Sequence, residues 1–207
     1  MLEPSRWQTL WRQLGGEAPP GSFDELRSAY SGPERHYHGV RHIEACLAHF
    51  DRWRHLAEHA PLVELALWTH DLVYDTHRQD NEAASARRAC QWLGEAGLDE
   101  HRTALQELIL ATCHQQEPQG ADAALVVDID LSILASDAVV YSAYEAAIRA
   151  EYAWVPEPLF RAGRAKLLRQ LLAMPALYHQ APLAERWEEP ARRNLQAALT
   201  TLESQSA

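Results

Sequence analysis

One segment of the chain is apolar around almost the whole circumference of a helix. Pro61 suits the first helical turn, where a missing backbone N–H costs nothing. Apolar side chains then fall on nearly every face, at Leu62, Leu65, Ala66, Leu67, Trp68, Leu72 and Val73. A helix of this kind has no face for water and lies in the middle of a bundle. We therefore expect the rest of the chain to supply helices that surround residues 61–73.

The other periodic segments also predict helices. Apolar residues recur at helical spacing near the start of the chain, at Trp7, Leu10, Trp11 and Leu14. Further helices are expected to begin near residues 22, 39, 80, 99, 137, 159 and 190. Leu125–Val127 alone is typical of a strand, but one short run cannot form a sheet, so residues 121–136 are predicted to be helical. No repeat or linker divides the sequence, and we expect a single all-α domain over residues 1–207.

Charge and composition limit the classes of function. The 207 residues carry a net charge of −10, and an acidic chain lacks the basic surface that grips nucleic-acid polymers. Three scattered cysteines, Cys46, Cys90 and Cys113, argue against a disulfide framework and a cysteine zinc site. The first residues lack the pattern of a signal peptide, and no run approaches the roughly 20 apolar residues that span a bilayer. We expect a cytoplasmic protein with no membrane partner.

A polar doublet, His70-Asp71, lies near the end of the apolar segment. A buried charge is costly unless it is paired or coordinates a metal, and His42, Asp128 and Asp130 are available partners. Two histidines and two carboxylates form a mixed nitrogen and oxygen set for a divalent cation. Adjacent helical residues point about 100° apart, so the ion would sit between His70 and Asp71. Four ligands leave about two positions of a six-coordinate ion for water and a substrate oxygen.

This pattern resembles the HD superfamily of metal-dependent phosphohydrolases, in which a distant histidine, a His-Asp pair and a distant aspartate hold a metal. The resemblance implies the ligands His42, His70, Asp71 and Asp130, with Asp128 as the rival last ligand or as a group that orients one. It is closest to an uncharacterised bacterial branch with the landmarks Arg35-x-Tyr-His38-x-x-x-His42, His70-Asp-x-Val-Tyr-Asp75, Asp80-Asn-Glu82-x-x-Ser85, Asp128-x-Asp-Leu-Ser-Ile-Leu134 and Ile148-Arg-x-Glu-Tyr152. It implies an HD-type bundle with a metal-site core at about 35–152 and C-terminal helices, 156–204, packed on it.

The expected cofactor is one divalent ion, with manganese, cobalt, nickel, iron, magnesium and zinc all suited to such a site. Some members of the superfamily hold two metals with added histidines in the middle of the chain. His101 and His114 lie in that interval, but neither belongs to a recognisable ligand pair. A second metal therefore stays open.

Two groups near the expected ligands are candidates for proton transfer. Asp75 follows Asp71 by four residues, which predicts a shared helical face, and it matches an aspartate that supports catalysis in the resembling guanosine tetraphosphate hydrolases. Tyr74 replaces the glutamate that precedes that aspartate, which puts the tetraphosphate substrate in doubt. His38 is also four residues from His42, and it would contact substrate, protonate the leaving group or add a fifth ligand. The alternatives are a salt-bridge role for Asp75 and a partly exposed histidine at His38.

Four further residues are candidates for substrate binding. Arg35 and Arg149 would grip a phosphate, because a guanidinium fork matches phosphate oxygens. Each is otherwise a surface ion-pair residue, with Glu145 as an internal partner for Arg149. Asn81 and Glu82 would read a substrate hydroxyl or base at the lip of the pocket, and their alternative role is a charged helix start.

Residues and resemblance together predict a metal-dependent phosphohydrolase for a small phosphate ester, with a nucleotide as the superfamily expectation. Two other classes stay open. One is a di-iron oxygenase on the same scaffold, which needs extra histidine ligands, and the other is a metal-stabilised sensor or interaction protein without turnover. The Trp-rich N-terminal helix leaves room for a homodimer with no assigned interface. Trp7, Trp11 and Trp68 lie on apolar faces and are expected in the core.

Overall fold

The computed structural model describes residues 2–204, and this part of the chain is helical with no strand. Its ten α-helices are α1 (Pro4–Leu14), α2 (Ser22–Ala29), α3 (Val40–Trp53), α4 (Ala60–Thr69), α5 (Asn81–Glu95), α6 (Arg102–Ala111), α7 (Gly120–Asp130), α8 (Ala138–Glu151), α9 (Glu157–Ala173) and α10 (Ala181–Ser204). Short 3-10 turns cover Arg54–Leu56, Asp99–His101 and Leu131–Ala135. The all-α prediction is confirmed, including the helix over Leu125–Val127. Among the described helices, none is both long enough and apolar enough to cross a membrane.

Backbone contacts divide the chain into two compact units, Met1–Asp130 and Leu131–Ala207. The first unit holds α1 to α7, and the second holds the last 3-10 turn with α8 to α10. The predicted single domain over residues 1–207 stays a prediction. All four predicted metal ligands belong to the first unit.

Helix α4 is the central helix of the first unit. Residues Leu62–Thr69 are all buried, and the helix packs against α1, α3, α6 and α7, as its apolar circumference predicted. The expected extension to Val73 was wrong, because the helix ends at Thr69 and a turn follows. The carbonyls of Asp71 and Leu72 accept hydrogen bonds from Arg35 instead of continuing the helical ladder.

Four tryptophans from α1, α4 and α5 form an aromatic cluster in the core of the first unit. The Trp7 ring meets those of Trp11, Trp68 and Trp92 edge to face, with centroids 5.4 to 5.7 Å apart. This is a favoured arrangement for aromatic pairs. None of the four rings is more than 1% exposed, so the core positions predicted for Trp7, Trp11 and Trp68 are confirmed.

In the second unit, a nearly buried ion pair joins α8 to α9. The Arg164 guanidinium donates to both carboxylate oxygens of Glu145, at 2.8 and 2.9 Å. Helix α10 begins well before the boundary predicted near Pro190, which lies inside the helix. The added turns are anchored because Leu183 and Trp187 are buried.

Candidate metal centre

Four side chains from distant parts of the first unit converge. His42 lies on α3, His70 and Asp71 follow the last residue of α4, and Asp130 ends α7. The two histidine Nε2 atoms are 3.1 Å apart. Asp130 Oδ1 lies 3.2 Å from the Nε2 of His42 and 3.3 Å from that of His70. Asp71 Oδ2 lies 3.6 and 3.2 Å from the same two atoms, so the fold brings together the four residues predicted as ligands.

The donor atoms of His42, His70 and Asp71 all lie within 4.8 Å of one another, as do those of His42, Cys46 and Asp130, and such groups can hold a metal ion. Ligand atoms bound about 2.1 Å from a cation are separated by about 3.0 Å at octahedral angles and about 3.4 Å at tetrahedral angles. Four of the five separations, 3.1 to 3.3 Å, lie within this range, and the fifth, between Asp71 Oδ2 and His42 Nε2, is 3.6 Å. Imidazole suits zinc, iron and nickel, whereas carboxylate also suits magnesium and manganese. The mixed set is therefore compatible with the cations considered from the sequence.

A backbone contact orients the His70 ring. Its Nδ1 lies 3.1 Å from the carbonyl oxygen of Leu67. Because a carbonyl oxygen only accepts, Nδ1 carries the hydrogen, and a neutral His70 presents its Nε2 lone pair to the other candidate ligands. Metal-binding histidines are commonly fixed in this way. Packing reinforces the orientation, since the side chain is 1% exposed.

The charges of the cluster stabilise one another. Burial alone would raise the pKa of Asp71 and Asp130, but the neighbouring histidines outweigh it, and both pKa values fall well below the ordinary range. Burial alone would lower the pKa of His70, but the two carboxylates raise it well above its ordinary value. The charges of the cluster therefore favour ionised carboxylates and a protonated His70. An entering cation would take the place of that proton.

Asp130 is favoured over Asp128 as the last ligand. Its Oδ1 faces both histidine Nε2 atoms. Asp128 lies two residues earlier on α7, and that spacing turns its side chain about 200° around the helix axis. Asp128 is fully buried, so the helix has two inward carboxylates on different sides.

Two residues next to the cluster were not predicted as part of it. His114 Nε2 lies 3.1 Å from Asp130 Oδ2, and the residue has the positive φ of 52° that is uncommon outside glycine. Cys46 Sγ lies 3.8 Å from both ring nitrogens of His42, and burial holds its thiol pKa well above the usual range. The i, i+4 spacing of His42 and Cys46 was a readable signal, and His114 was singled out only as one of two histidines in the interval where a second metal stayed open. His101 lies on the turn Asp99–His101.

His38 lies beside the candidate ligands, but the helical face that His38 and His42 were predicted to share was wrong. Helix α3 begins at Val40, so His38 precedes it and shares no helical face with His42. The two ring centroids are 6.0 Å apart, and the charge of His38 helps to lower the pKa of Asp71. The His38 ring stacks on Tyr74 at a centroid distance of 4.1 Å. Its chemical role stays a prediction.

Asp75 lies on the loop after α4, so the shared helical face predicted for Asp71 and Asp75 was wrong. Its side chain is 51% exposed and Oδ1 accepts hydrogen bonds from the backbone N–H and the Nδ1 of His77. Those bonds lower the pKa of the Asp75 carboxyl. The proton-transfer role of Asp75 stays a prediction.

Asn81 and Glu82 open α5, as the charged helix start required. The Asn81 amide exchanges two hydrogen bonds with the backbone of Asp75, at 3.0 and 3.1 Å. Glu82 lies beside Cys113. Burial raises the pKa of the Cys113 thiol, and the charge and hydrogen bond of Glu82 raise it further, to about 11. Both residues thus have local partners, and their predicted contacts with substrate stay predictions.

The two predicted phosphate-binding arginines have different surroundings. Arg35 donates to the backbone carbonyls of His38, Asp71 and Leu72. Arg149 belongs to the second unit, where it donates to Glu157 at 2.8 Å and to two carbonyls. The expected internal partner Glu145 instead receives Arg164. Phosphate binding by Arg35 or Arg149 stays a prediction.

Comparisons with protein-family models, with curated proteins and with solved structures find no match for this chain. The likeness to the HD superfamily therefore stays a resemblance, carried by the residues and motifs themselves.

Proposed function

We propose that the chain is a metal-dependent phosphohydrolase. The supporting observation is that His42 and His70 each direct Nε2 to within 3.6 Å of a carboxylate oxygen of Asp71 and of Asp130. Buried charges are costly unless they are paired or coordinate a metal, and two imidazoles with two carboxylates at these distances suit a divalent cation. The site supports a bound metal, and the resemblance supplies the phosphohydrolase reaction.

A divalent cation held by these four residues would lower the pKa of water and polarise a phosphoryl oxygen. The chain contributes two carboxylate charges that suit a divalent cation. Asp71 and Asp130 stay ionised because their pKa values are lowered, and their two charges balance a dication. His70 is fixed with Nε2 toward the set by its bond to Leu67.

His38 is the group best placed to move a proton at this site. Its charge acts on Asp71, and its ring is held against Tyr74. Histidine suits proton donation to a leaving oxygen, because its ordinary pKa lies near neutrality. Asp75 is kept as a second candidate from the resemblance, with its carboxylate bonded to His77 on the exposed loop.

The proposed substrate is a small phosphate ester, and the resemblance favours a nucleotide. A net charge of −10 disfavours a long polyanion, whose many phosphates require a broad basic surface. A single phosphate group requires only local positive charge, which a bound cation supplies.

The test is metal analysis of the purified protein joined to a phosphate-release screen over nucleotides and sugar phosphates. Wild type should contain or take up about one divalent ion per chain and release phosphate from some of the compounds. Asp71→Asn should lose more activity than the 10- to 100-fold that loss of an outer partner of a metal ligand typically costs. Asp51→Asn is the matched control, because Asp51 is an exposed partner of Arg6. Phosphate release that survives Asp71→Asn intact would remove this mechanism.

A di-iron oxygenase is the second candidate, and one contact favours it. His114 reaches the second carboxylate oxygen of Asp130 at 3.1 Å, which supplies the extra histidine that such a site needs. Two equivalents of iron per wild-type chain, falling to one in His114→Ala, would support it. Bound metal with neither reaction would instead indicate a sensor or interaction protein.

A further inference from the structure

Arg35 joins two segments of the chain that carry candidate ligands. One guanidinium nitrogen donates to the carbonyl oxygens of His38 at 3.0 Å and Asp71 at 2.6 Å. The other terminal nitrogen donates to the Leu72 carbonyl at 2.9 Å. His38 leads directly into α3 and His42, whereas Asp71 and Leu72 follow α4. A single side chain therefore bridges the entry to one ligand helix and the exit from another.

These bonds lie where the backbone needs them. Helix α4 ends at Thr69, so the residues that follow have no helical ladder to fix their direction. Carbonyl oxygens at the end of a helix lack intrahelical partners, and a cation there is favoured by the helix dipole. Charge-assisted hydrogen bonds are stronger than neutral ones, and a planar fork fixes direction as well as distance.

Close packing holds Arg35 itself in place. Its guanidinium lies over the Tyr30 ring at 5.0 Å and over the Tyr74 ring at 5.6 Å. The Tyr30 hydroxyl donates to the Trp68 carbonyl at 3.0 Å, which is a second tie to the end of α4. A Cβ at Gly39 would lie 3.1 Å from the backbone carbonyl oxygen of Tyr30 and 3.3 Å from that of Arg35. Only glycine therefore lets these backbones approach without adjustment.

We propose that Arg35 is a positioning residue that sets the distance between the His42 segment and the His70-Asp71 turn. It acts through the backbone of the ligand segments and not by gripping substrate. The proposal rests on the metal centre of the proposed function but is independent of the reaction carried out there.

The geometry also predicts which replacements work. A lysine ammonium keeps the charge but is a compact point donor, and it cannot reproduce the planar fork that reaches three carbonyls. Methylguanidine has the missing fork and charge. Arg35 is only partly buried, so a small guanidinium can enter the space left by truncation.

The test measures Co²⁺ binding and the visible absorption spectrum of bound Co²⁺ in wild type, Arg35→Ala and Arg35→Lys. We expect Arg35→Ala to weaken Co²⁺ binding about 10- to 100-fold, as loss of an outer partner does, and to alter the spectrum. Methylguanidine added to Arg35→Ala should restore part of the affinity and part of the wild-type spectrum. Arg35→Lys should not restore the wild-type spectrum, because it keeps the charge without the planar fork. Arg54→Ala is the control, because Arg54 ties Glu64 and Gln13 in the same unit; it should lower thermal stability and leave affinity and spectrum unchanged.

Wild-type affinity and spectrum in Arg35→Ala would overturn the proposal, even if the KM for a phosphate ester rose. Full recovery of both readouts by Arg35→Lys would also overturn it, because charge would then suffice. If Arg35→Ala does not fold, the Co²⁺ spectrum of Arg35→Lys tests the proposal: an altered spectrum supports it, and a wild-type spectrum overturns it. Wild type that binds no Co²⁺ and no other divalent cation would remove the proposed function together with this inference, whereas the other outcomes concern Arg35 alone.

Discussion

The His70 ring is constrained at both nitrogens. Leu67 accepts from Nδ1, and Nε2 faces His42, Asp71 and Asp130. Burial opposes a charge on this ring, yet the two carboxylates outweigh burial and raise its pKa. The two carboxylates therefore favour a proton at the position that a cation would take.

This competition predicts that metal affinity rises with pH. Asp71 and Asp130 have lowered pKa values and are already ionised above about pH 5, so they add no pH dependence there. His70 has a raised pKa, so a cation displaces its proton until the pH exceeds that pKa. We expect Co²⁺ affinity to rise with pH, by about tenfold per pH unit for one displaced proton, until the pH exceeds the raised pKa of His70. Titration calorimetry in two buffers of different ionisation enthalpy measures the proton released.

The control for this slope is His59→Asn, since the His59 side chain is 75% exposed and pairs with Asp122. It should keep the wild-type pH dependence. An affinity that stays flat from pH 6 to 8 in wild type would contradict the raised pKa of His70.

His114 gives a second prediction for a single residue. Its Nε2 lies 3.1 Å from Asp130 Oδ2, whereas Oδ1 is the oxygen near His42 and His70, so His114→Ala removes one of the contacts that orient that carboxylate. We expect Co²⁺ affinity to fall about 10- to 100-fold with little loss of fold, as for other partners of metal ligands. His101→Ala, on the turn Asp99–His101, is the comparison. Equal affinities for the two variants would exclude this role for His114.

Helix α5 holds the loop after α4 through two side chains one turn apart. Ser85 accepts from the Val73 N–H at 2.9 Å and donates to the Val73 carbonyl at 3.2 Å. Asn81 makes the equivalent pair of bonds with Asp75. Because Val73 and Asp75 both turn their backbones to α5, the residue between them, Tyr74, is left to stack on His38. Asn81 and Ser85, four residues apart on α5, thus hold the backbones of Asp75 and Val73, which are two residues apart on the loop.

Because Ser85 attaches the loop to α5, Ser85→Ala should lower the free energy of unfolding. The substitution removes both bonds to Val73 and leaves a backbone N–H without its partner, which typically costs about 1–3 kcal/mol. Urea unfolding should show that loss, and hydrogen exchange at the Val73 amide should accelerate. Ser28→Ala, on the exposed face of α2, should stay within about 0.5 kcal/mol of wild type. Unchanged exchange at Val73 in Ser85→Ala would show that the loop is held by other contacts.

For the molecule as a whole, ligand binding and stability are linked. A cation that binds only the folded state at 1,000 times its Kd stabilises it by about 4 kcal/mol, which corresponds to a rise in Tm of about 10 °C for a chain of this size. We expect such a rise with Co²⁺ or Mn²⁺, reversed by a chelator. Asp71→Asn should abolish most of the shift while Asp51→Asn keeps it. A Tm that does not respond to any divalent cation would contradict the metal centre.

The helices could be predicted because their signals are local. Apolar periodicity places Trp7, Trp11 and Trp68 in the core, and the same pattern identifies α4 as the buried central helix. Helix ends were harder to predict. The apolar residues Leu72 and Val73 continue the pattern of α4, but contacts with Arg35 and Ser85 end the helix at Thr69 and turn the chain.

By itself, the sequence determined the all-helical class, because apolar periodicity is a property of short segments, and its resemblance to the HD superfamily named His42, His70, Asp71 and Asp130 as a candidate set. Only the tertiary structure decided that these donors meet, that Asp130 Oδ1 lies within 3.3 Å of both histidine Nε2 atoms, and that Arg35 and His114 contact ligand residues. Those outcomes depend on how helices far apart in sequence pack together. A hydrogen bond between residues 36 positions apart, such as that from Arg35 to Asp71, leaves no trace in local periodicity.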